Sequence, residues 1–92
     1  MRIDRFLFFI RLVKSRTLAQ GIVAEGRIRI DGRRAAKPSE EVREGSVIAL
    51  PLRGEVRVIR VLTLPKRRGP PAEARAHYDE IPANVSQENG GD

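Results

Sequence analysis

The sequence has 92 residues, which is room for one small domain, and it contains no cysteine, which excludes disulfides and cysteine-ligated zinc sites. Its 18 Lys and Arg residues outnumber its 12 Asp and Glu residues and give a net charge of +6. A small, strongly basic domain without cysteine indicates a polyanionic partner, usually nucleic acid, and a reducing, cytoplasmic location.

The N-terminal segment predicts a helix from Asp4 to Val13, with Asp4 as its N-cap. Phe8 lies outside the main apolar stripe of this helix, and packing beneath a C-terminal helix is favoured over stacking on a nucleobase. The apolar run from Phe6 to Ile10 is too short for a signal peptide or a membrane span, so we expect no membrane partner. The stripe recurs at spacings of three and four: Ile3, Phe6, Leu7, Ile10 and Val13.

A second helix is predicted from Ser15 to Glu25, because Ser15 is a good N-cap and Gly26 suits the left-handed turn that ends a helix. One side of this helix carries apolar residues and is expected to be buried: Leu18, Ala19, Ile22 and Val23. The other side carries polar or very small residues: Arg16, Thr17, Gln20, Gly21 and Ala24.

Alternating residues then predict short strands. The segment from Arg27 to Ile30 alternates outward arginines with inward isoleucines, and Asp31-Gly32 is a strong tight-turn signal. Further strands are predicted from Val47 to Leu50 and from Glu55 to Leu62, with Arg53-Gly54 as the turn between them. In the second of these strands Arg57 is expected to point outward, and Val58-Ile59 breaks the alternation and indicates a bulge.

The C-terminal part predicts three further features. Residues 66–71 form a basic, stiff linker, and residues Ala72 to Glu80 have the composition of a short helix. Residues 82–92 are polar and poor in apolar side chains, which is typical of a disordered tail. The predicted organisation is therefore an α+β domain at 1–64, the linker and short C-terminal helix at 65–81, and the tail at 82–92.

Lys14 and Arg16 are the candidate phosphate contacts, because they flank Ser15 where free backbone N–H groups and the helix dipole already favour an anion. Thr17 and Gln20 follow on the same outer face and offer hydrogen bonds to a nucleic acid. Charged side chains on a helix face often contact only solvent, but at Lys14 and Arg16 the cap, the helix dipole and the side-chain charge all favour a bound phosphate. Three arginines of the later strands are interpreted as solvent-exposed side chains on the sheet instead of RNA contacts: Arg53, Arg57 and Arg60.

The sequence contains no recognisable enzymatic site. His77 is the single histidine, and its neighbours Tyr78 and Asp79 point in other directions on a helix, so they form no catalytic geometry. No glycine-rich phosphate loop, nucleophile elbow or paired-carboxylate pattern is present. We therefore expect a non-enzymatic protein without a metal or a cofactor.

Residues 2–50 resemble the S-four RNA-binding domain, which is named for protein four of the small ribosomal subunit. The resemblance implies a pair of helices, the αL-type RNA-binding motif, packed on a small antiparallel sheet. It rests on an ordered series of segments: residues 2–7, Lys14-Ser15-Arg16-Thr17-Leu18-Ala19, Ile22, residues 26–32, Lys37-Pro38-Ser39, Val42, Gly45 and Ile48.

The aromatic-rich first helix, residues 66–74 and Tyr78-Asp79-Glu80 are similar to the heat-shock protein fifteen family. Members of that family bind free large ribosomal subunits that still carry a nascent chain on tRNA, in rescue or recycling. The resemblance implies binding to rRNA and the large ribosomal subunit, with tRNA as an additional contact. The implied RNA-binding residues, together with those predicted at the helix start, are Arg2, Arg5, Arg11, Lys14, Ser15, Arg16, Thr17, Gln20, Arg33, Arg34 and Lys37.

The acidic tail departs from the longer basic extension of many family members, which puts a tail contact with rRNA in doubt. Two other functions remain open: a targeting subunit for a separate rRNA-modifying enzyme, and a general nucleic-acid-coating protein. Off the ribosome the protein is expected to be a monomer.

Overall fold

The computed structural model describes residues 1–82 and contains an antiparallel sheet of five strands with three helices. The predicted α+β class is confirmed. The strand order is β2-β1-β3-β4-β5. The elements in chain order are α1 (Ile3–Phe9), α2 (Arg16–Ala24), β1 (Arg29–Ile30), β2 (Arg33–Arg34), β3 (Val47–Leu52), β4 (Glu55–Val61), α3 (Pro71–Arg75) and β5 (Tyr78–Ile81).

Helix α1 is shorter than predicted and does not reach Val13. Arg11 adopts a left-handed conformation with φ of 65°, and its N–H donates to the Phe8 carbonyl while that of Leu12 donates to the Leu7 carbonyl. These two bonds form a Schellman ending, which usually carries glycine at this position and therefore gave no sequence signal. The assignment of Asp4 as N-cap was also wrong: Arg2 is the N-cap, and Asp4 lies buried in the first turn.

Helix α2 agrees with its predicted caps. The Ser15 side chain accepts a hydrogen bond from the Leu18 N–H, and Gly26 has a φ of 74° after the helix. Ala19 and Val23 are buried as predicted, but the prediction for Leu18 was wrong, because 49% of its surface is exposed. Periodicity places Leu18 on the apolar side of the helix, but the residue lines a groove beside the β3–β4 hairpin instead of packing in the core.

The two tight turns are confirmed. Asp31-Gly32 joins β1 to β2 and Arg53-Gly54 joins β3 to β4, and all four residues have positive φ, as a two-residue hairpin turn requires. The bulge predicted at Val58-Ile59 was wrong, because β3 and β4 pair without interruption. Val58 and Ile59 instead occupy opposite faces of the sheet.

Arg57 also differs from its prediction. It lies on the same face of β4 as buried Ile59, is half-buried, and forms an ion pair with Glu80 of β5 at 2.5 Å. The cation is retained on the core side because it lies near the end of the sheet and has a carboxylate partner.

The helix predicted from Ala72 to Glu80 was wrong in its second half. Helix α3 ends at Arg75, and the next residues form β5, which pairs antiparallel with β4, Tyr78 opposite Val61 and Ile81 opposite Val58. The free edge of β4 offers a row of backbone hydrogen bonds, which outweighs a modest local helix preference. The predicted disordered tail falls outside the described residues, except for Pro82.

The core lies between the helical pair and one face of the sheet. Phe6 and Leu7 of α1 are fully buried with Ile28, Ile48 and Ile59. Burying such side chains is worth about 1.5–3 kcal/mol each, so this layer fixes the helical pair on the sheet. None of the helices in residues 1–82 has the length and apolarity that crossing a membrane requires.

Candidate nucleic-acid interface

The carboxylate of Asp4 joins the two helices of the N-terminal pair. It is fully buried and accepts hydrogen bonds from Arg2 Nε and Nη2, both at 3.0 Å, and from Gln20 Nε2 at 3.0 Å. Arg16 Nη2 lies 3.5 Å from the same carboxylate. We call these four residues the Asp4 cluster. It carries two positive charges against one negative charge, and thus a net positive charge.

The ionised form of Asp4 is stabilised despite its burial. Desolvation is the largest single influence and raises the pKa of the Asp4 carboxyl. Hydrogen bonds from Arg2, Gln20 and the Arg5 amide, with the charge of Arg2, lower the pKa by more, so it lies below its usual value. The cluster therefore contains a permanent anion at neutral pH that orients two guanidinium groups.

Local structure explains why these side chains meet. The Ser15 cap starts α2 so that Arg16 is its first residue, and Gln20 follows four residues later on the same face. Arg2 precedes α1 and forms a bridge with Glu41 through its backbone. About two fifths of each arginine side chain stays exposed, 42% for Arg2 and 39% for Arg16. Asp4 therefore orients both guanidinium groups from the buried side, and part of each arginine side chain stays exposed to solvent.

Arg16 is held more loosely than Arg2. Its Nη2 is 3.5 Å from Asp4, and its buried Nε–H has no hydrogen-bond acceptor within residues 1–82. Three further predicted site residues near the helical pair are exposed: Arg5, Lys14 and Thr17. Ser15 is committed to its capping bond. The start of α2 thus presents exposed cations beside one incompletely bonded arginine.

The predicted residues of the hairpin lie in two places: Arg34 is at the C-terminal end of α2, whereas Arg33 and Lys37 lie beside the segment that contacts the start of α1. The Arg34 side chain packs over Gly26, so closely that a Cβ there would lie 2.9 Å from Arg34 Nη1. Arg33 lies 3.7 Å from Glu40, and Lys37 is exposed. Because α2 has nine residues, its two ends, near Lys14 and near Arg34, lie about 14 Å apart.

Arg11 lies apart from the Asp4 cluster. Its Nε donates to the Gly69 carbonyl at 2.5 Å, which ties the α1–α2 connection to the segment before α3. Arg68 belongs to the same contact: burial lowers the pKa of its guanidinium, and the charge of Arg11 lowers it further. Phe8 was expected beneath a C-terminal helix, but its ring is covered by the Arg68 guanidinium.

Sequence reasoning missed the central place of Asp4. A signal was present, because Asp4 directly follows Ile3 and lies three residues before Leu7, and both of these apolar residues are buried. A buried carboxylate requires charged or hydrogen-bonding partners, and the nearby arginines were available. The role of Arg68 gave no comparable signal, because it depends on a contact 60 residues distant in sequence.

Comparison with known proteins matches residues 1–48 to the S4 domain. Heat shock protein 15 of Escherichia coli is 29% identical over 87 residues, which cover 95% of this chain and 65% of that protein. The RQC P-site tRNA stabilizing factor of Helicobacter pylori is 38% identical over 71 residues, which cover 77% of this chain and 83% of that protein. The chain thus spans about 65% of the length of the Escherichia coli relative.

A solved structure supports the same relationship. Heat shock protein 15 of Vibrio cholerae, described as trimeric, superposes with a TM-score of 0.85 at 27% identity, over 99% of this chain and 91% of that one. The family match and this fold agree with the helical pair and sheet described above. The chain therefore belongs to the S4 domain family and, within it, to the heat shock protein 15 group.

Proposed function

We propose that this protein is a non-enzymatic RNA-binding factor that associates with the ribosome in rescue or recycling. Its target is structured rRNA, on the free large subunit that carries a nascent chain on tRNA. The observation that carries the proposal is the Asp4 cluster, in which a buried anion orients two partly exposed guanidinium groups next to Lys14.

The chemistry of the cluster suits phosphate. A guanidinium presents several N–H donors in a plane and binds phosphate oxygens in pairs, which a lysine ammonium cannot do. Because Asp4 already orients Arg2 and Arg16, less side-chain entropy is lost when they bind. Arg34 extends the positive surface to the far end of α2. Lys37 extends it beside Asp4, because the next residue, Pro38, accepts a hydrogen bond from the Asp4 N–H. Such contacts recognise the shape and backbone of folded RNA.

The names of the relatives support the choice of partner. One relative is called an RQC P-site tRNA stabilizing factor, and others are called heat shock protein 15. An RNA partner on the ribosome agrees with a cytoplasmic location and makes tRNA a second candidate contact. The monomeric state expected off the ribosome stays a prediction, and the trimer belongs to the Vibrio cholerae protein.

The test replaces Lys14 and Arg16 without forcing two carboxylates together. Glutamate at position 16 would face buried Asp4, so we choose Lys14→Glu combined with Arg16→Gln. The control is Lys66→Glu combined with Arg67→Gln, which makes the same exchanges in the exposed linker. Circular dichroism checks the fold of both variants.

Binding to free large subunits is measured by co-sedimentation through sucrose gradients at several salt concentrations. We expect the first variant to bind about tenfold more weakly or worse, and the control to bind like the parent. The parent's log K should fall by about 0.7–0.9 per phosphate contact for each tenfold rise in salt. Equal binding by the first variant and the parent would refute the proposal. Co-purification with an rRNA-modifying enzyme instead of large subunits would support the targeting role.

A further inference from the structure

A groove of about 410 Å³ lies between α2 and the β3–β4 hairpin. Leu18 and Ile22 of α2 form one wall, Pro51 and Leu52 of β3 form the other, and Leu12 contributes from the α1–α2 connection. Its size falls within the range of small-molecule sites. The exposure of Leu18, 49% of its surface, is explained by this groove, because the residue lines a concave surface that nothing in residues 1–82 fills.

The charged residues that line the groove are all cations. Arg57 is neutralised by Glu80, and Arg11 donates to the Gly69 carbonyl. Lys14 and Arg53 are exposed at the rim. An apolar interior with a positive rim complements a ligand that has a flat apolar body and a negative charge beside it. An unpaired nucleotide has this composition.

The groove adjoins the candidate RNA interface at Lys14. Leu18 and Ile22 are four residues apart on one face of α2, and Lys14, which precedes the Ser15 N-cap, lines the same groove. Lys14 borders the groove and also stands two residues from Arg16 of the Asp4 cluster. An RNA strand with a phosphate on Lys14 therefore reaches the mouth of the groove, while Arg16 lies on the opposite face of α2.

We propose that this groove is a subsite for one unpaired nucleotide of the bound RNA. The base lies between Leu18 and Leu52, and its flanking phosphates contact Lys14 and Arg53. A paired base cannot enter, because its faces and edge are occupied within the duplex. This inference rests on the proposed RNA-binding function and adds a preference for RNA with single-stranded nucleotides next to a helix. A second copy of the chain fits less well, since its own surface is positive overall.

The test compares two RNA probes by fluorescence anisotropy. One is a blunt-ended duplex, and the other is the same duplex with a short single-stranded 3′ extension of uridines. Each is titrated with the parent, Leu18→Ala, the conservative variant Leu18→Met, and the control Val56→Ala. Val56 is 61% exposed on β4 and lies outside the groove.

We expect the parent to bind the extended duplex about fivefold more tightly than the blunt one. Leu18→Ala should remove most of this preference and leave binding to the blunt duplex within about twofold of the parent. Leu18→Met and Val56→Ala should keep the preference.

Three results would overturn the inference. In the first, the parent binds both probes equally; in the second, the preference for the extended duplex survives in Leu18→Ala. If the Lys14 and Arg16 variant still loses RNA binding in either case, the proposed function stands without the subsite. In the third, velocity sedimentation shows that the parent self-associates and Leu18→Ala does not, which makes the groove a contact between copies. Failure of the parent to bind either RNA would remove the proposed function and the subsite together.

Discussion

The guanidinium carbon of Arg68 lies 4.2 Å from the centroid of the Phe8 ring, and the same side chain donates hydrogen bonds to the carbonyls of Phe8 and Val13. One arginine from the segment before α3 thus covers an aromatic ring and donates to one carbonyl at the end of α1 and to another in the α1–α2 connection. The connection that carries Lys14 is therefore supported by a residue outside the matched S4 domain segment, 1–48.

Replacing Arg68 should destabilise the fold although the residue is charged and partly exposed. Arg68→Met removes the cation–π contact and two hydrogen bonds, so we expect the free energy of unfolding to fall by about 1–3 kcal/mol. Arg68→Lys keeps the charge but not the planar donors, so its free energy of unfolding should lie between those of the parent and Arg68→Met. Urea unfolding followed by circular dichroism measures these values.

The matched control is Arg67→Met. Arg67 forms an exposed ion pair with Glu73 at 2.8 Å, and such pairs contribute little. The unfolding midpoint of Arg67→Met should match that of the parent. An Arg68→Met midpoint equal to that of Arg67→Met would show that the contact with Phe8 contributes nothing to stability.

Asp4→Asn should destabilise the protein by about 2–4 kcal/mol at neutral pH, because two arginines and Gln20 lose their charged acceptor. The lowered pKa of Asp4 gives this effect a defined pH dependence. Its contribution is complete above the unfolded-state value near 3.8 and disappears as pH falls through the lower folded-state value. The difference between parent and variant should thus shrink on acidification in urea titrations between neutral pH and pH values below 3.8.

Glu41→Gln is the control for Asp4. The pKa of Glu41 is also lowered, by a hydrogen bond from the N-terminal amine and by the positive charge of that amine, but this pair is exposed. We expect Glu41→Gln to behave nearly as the parent does at every pH. A difference between Asp4→Asn and parent that stays constant with pH would exclude the ionised Asp4 carboxylate as its source.

Gly26→Ala and Gly32→Ala separate backbone strain from the position of Arg34. Both glycines have positive φ, 74° and 82°, so each substitution should cost about 1–2 kcal/mol in urea unfolding. Only at Gly26 would the new Cβ meet a side chain, that of Arg34, whereas the space at Gly32 is open. Gly26→Ala alone should therefore displace Arg34 and weaken co-sedimentation with large subunits. If both variants bind equally well, Arg34 is not an RNA contact.

Local chemistry made much of this fold predictable. The Ser15 cap, the Gly26 ending and the Asp31-Gly32 turn each depend on residues adjacent in sequence, and all three are confirmed. The ending of α1 at Arg11 was missed because a non-glycine residue takes the left-handed conformation there. Strand β5 was missed because its partner β4 supplies its stabilisation from a distance.

In the candidate site, too, the features set by residues close in sequence were predicted, and the features set by distant contacts were not. Arg16 and Gln20 were assigned to one face of a helix from their spacing, and the structure places them together. The sequence did not reveal that Asp4 lies beneath them, because helix packing decides that contact. Binding of RNA by these residues remains a prediction, and the variants of Lys14 and Arg16 test it.

The strand order has a consequence for how the chain acquires its structure. Within residues 1–82, three of the four neighbouring strand pairs join strands that are consecutive along the chain, and the exception is the pair of β1 and β3. Pairing of nearby segments closes short loops at small entropic cost, so we expect rapid folding, faster than that of all-β proteins of similar size. Among the hydrogen bonds of residues 1–82, the one from Arg68 to the Phe8 carbonyl spans the longest separation, 60 residues, and we expect this contact to form last.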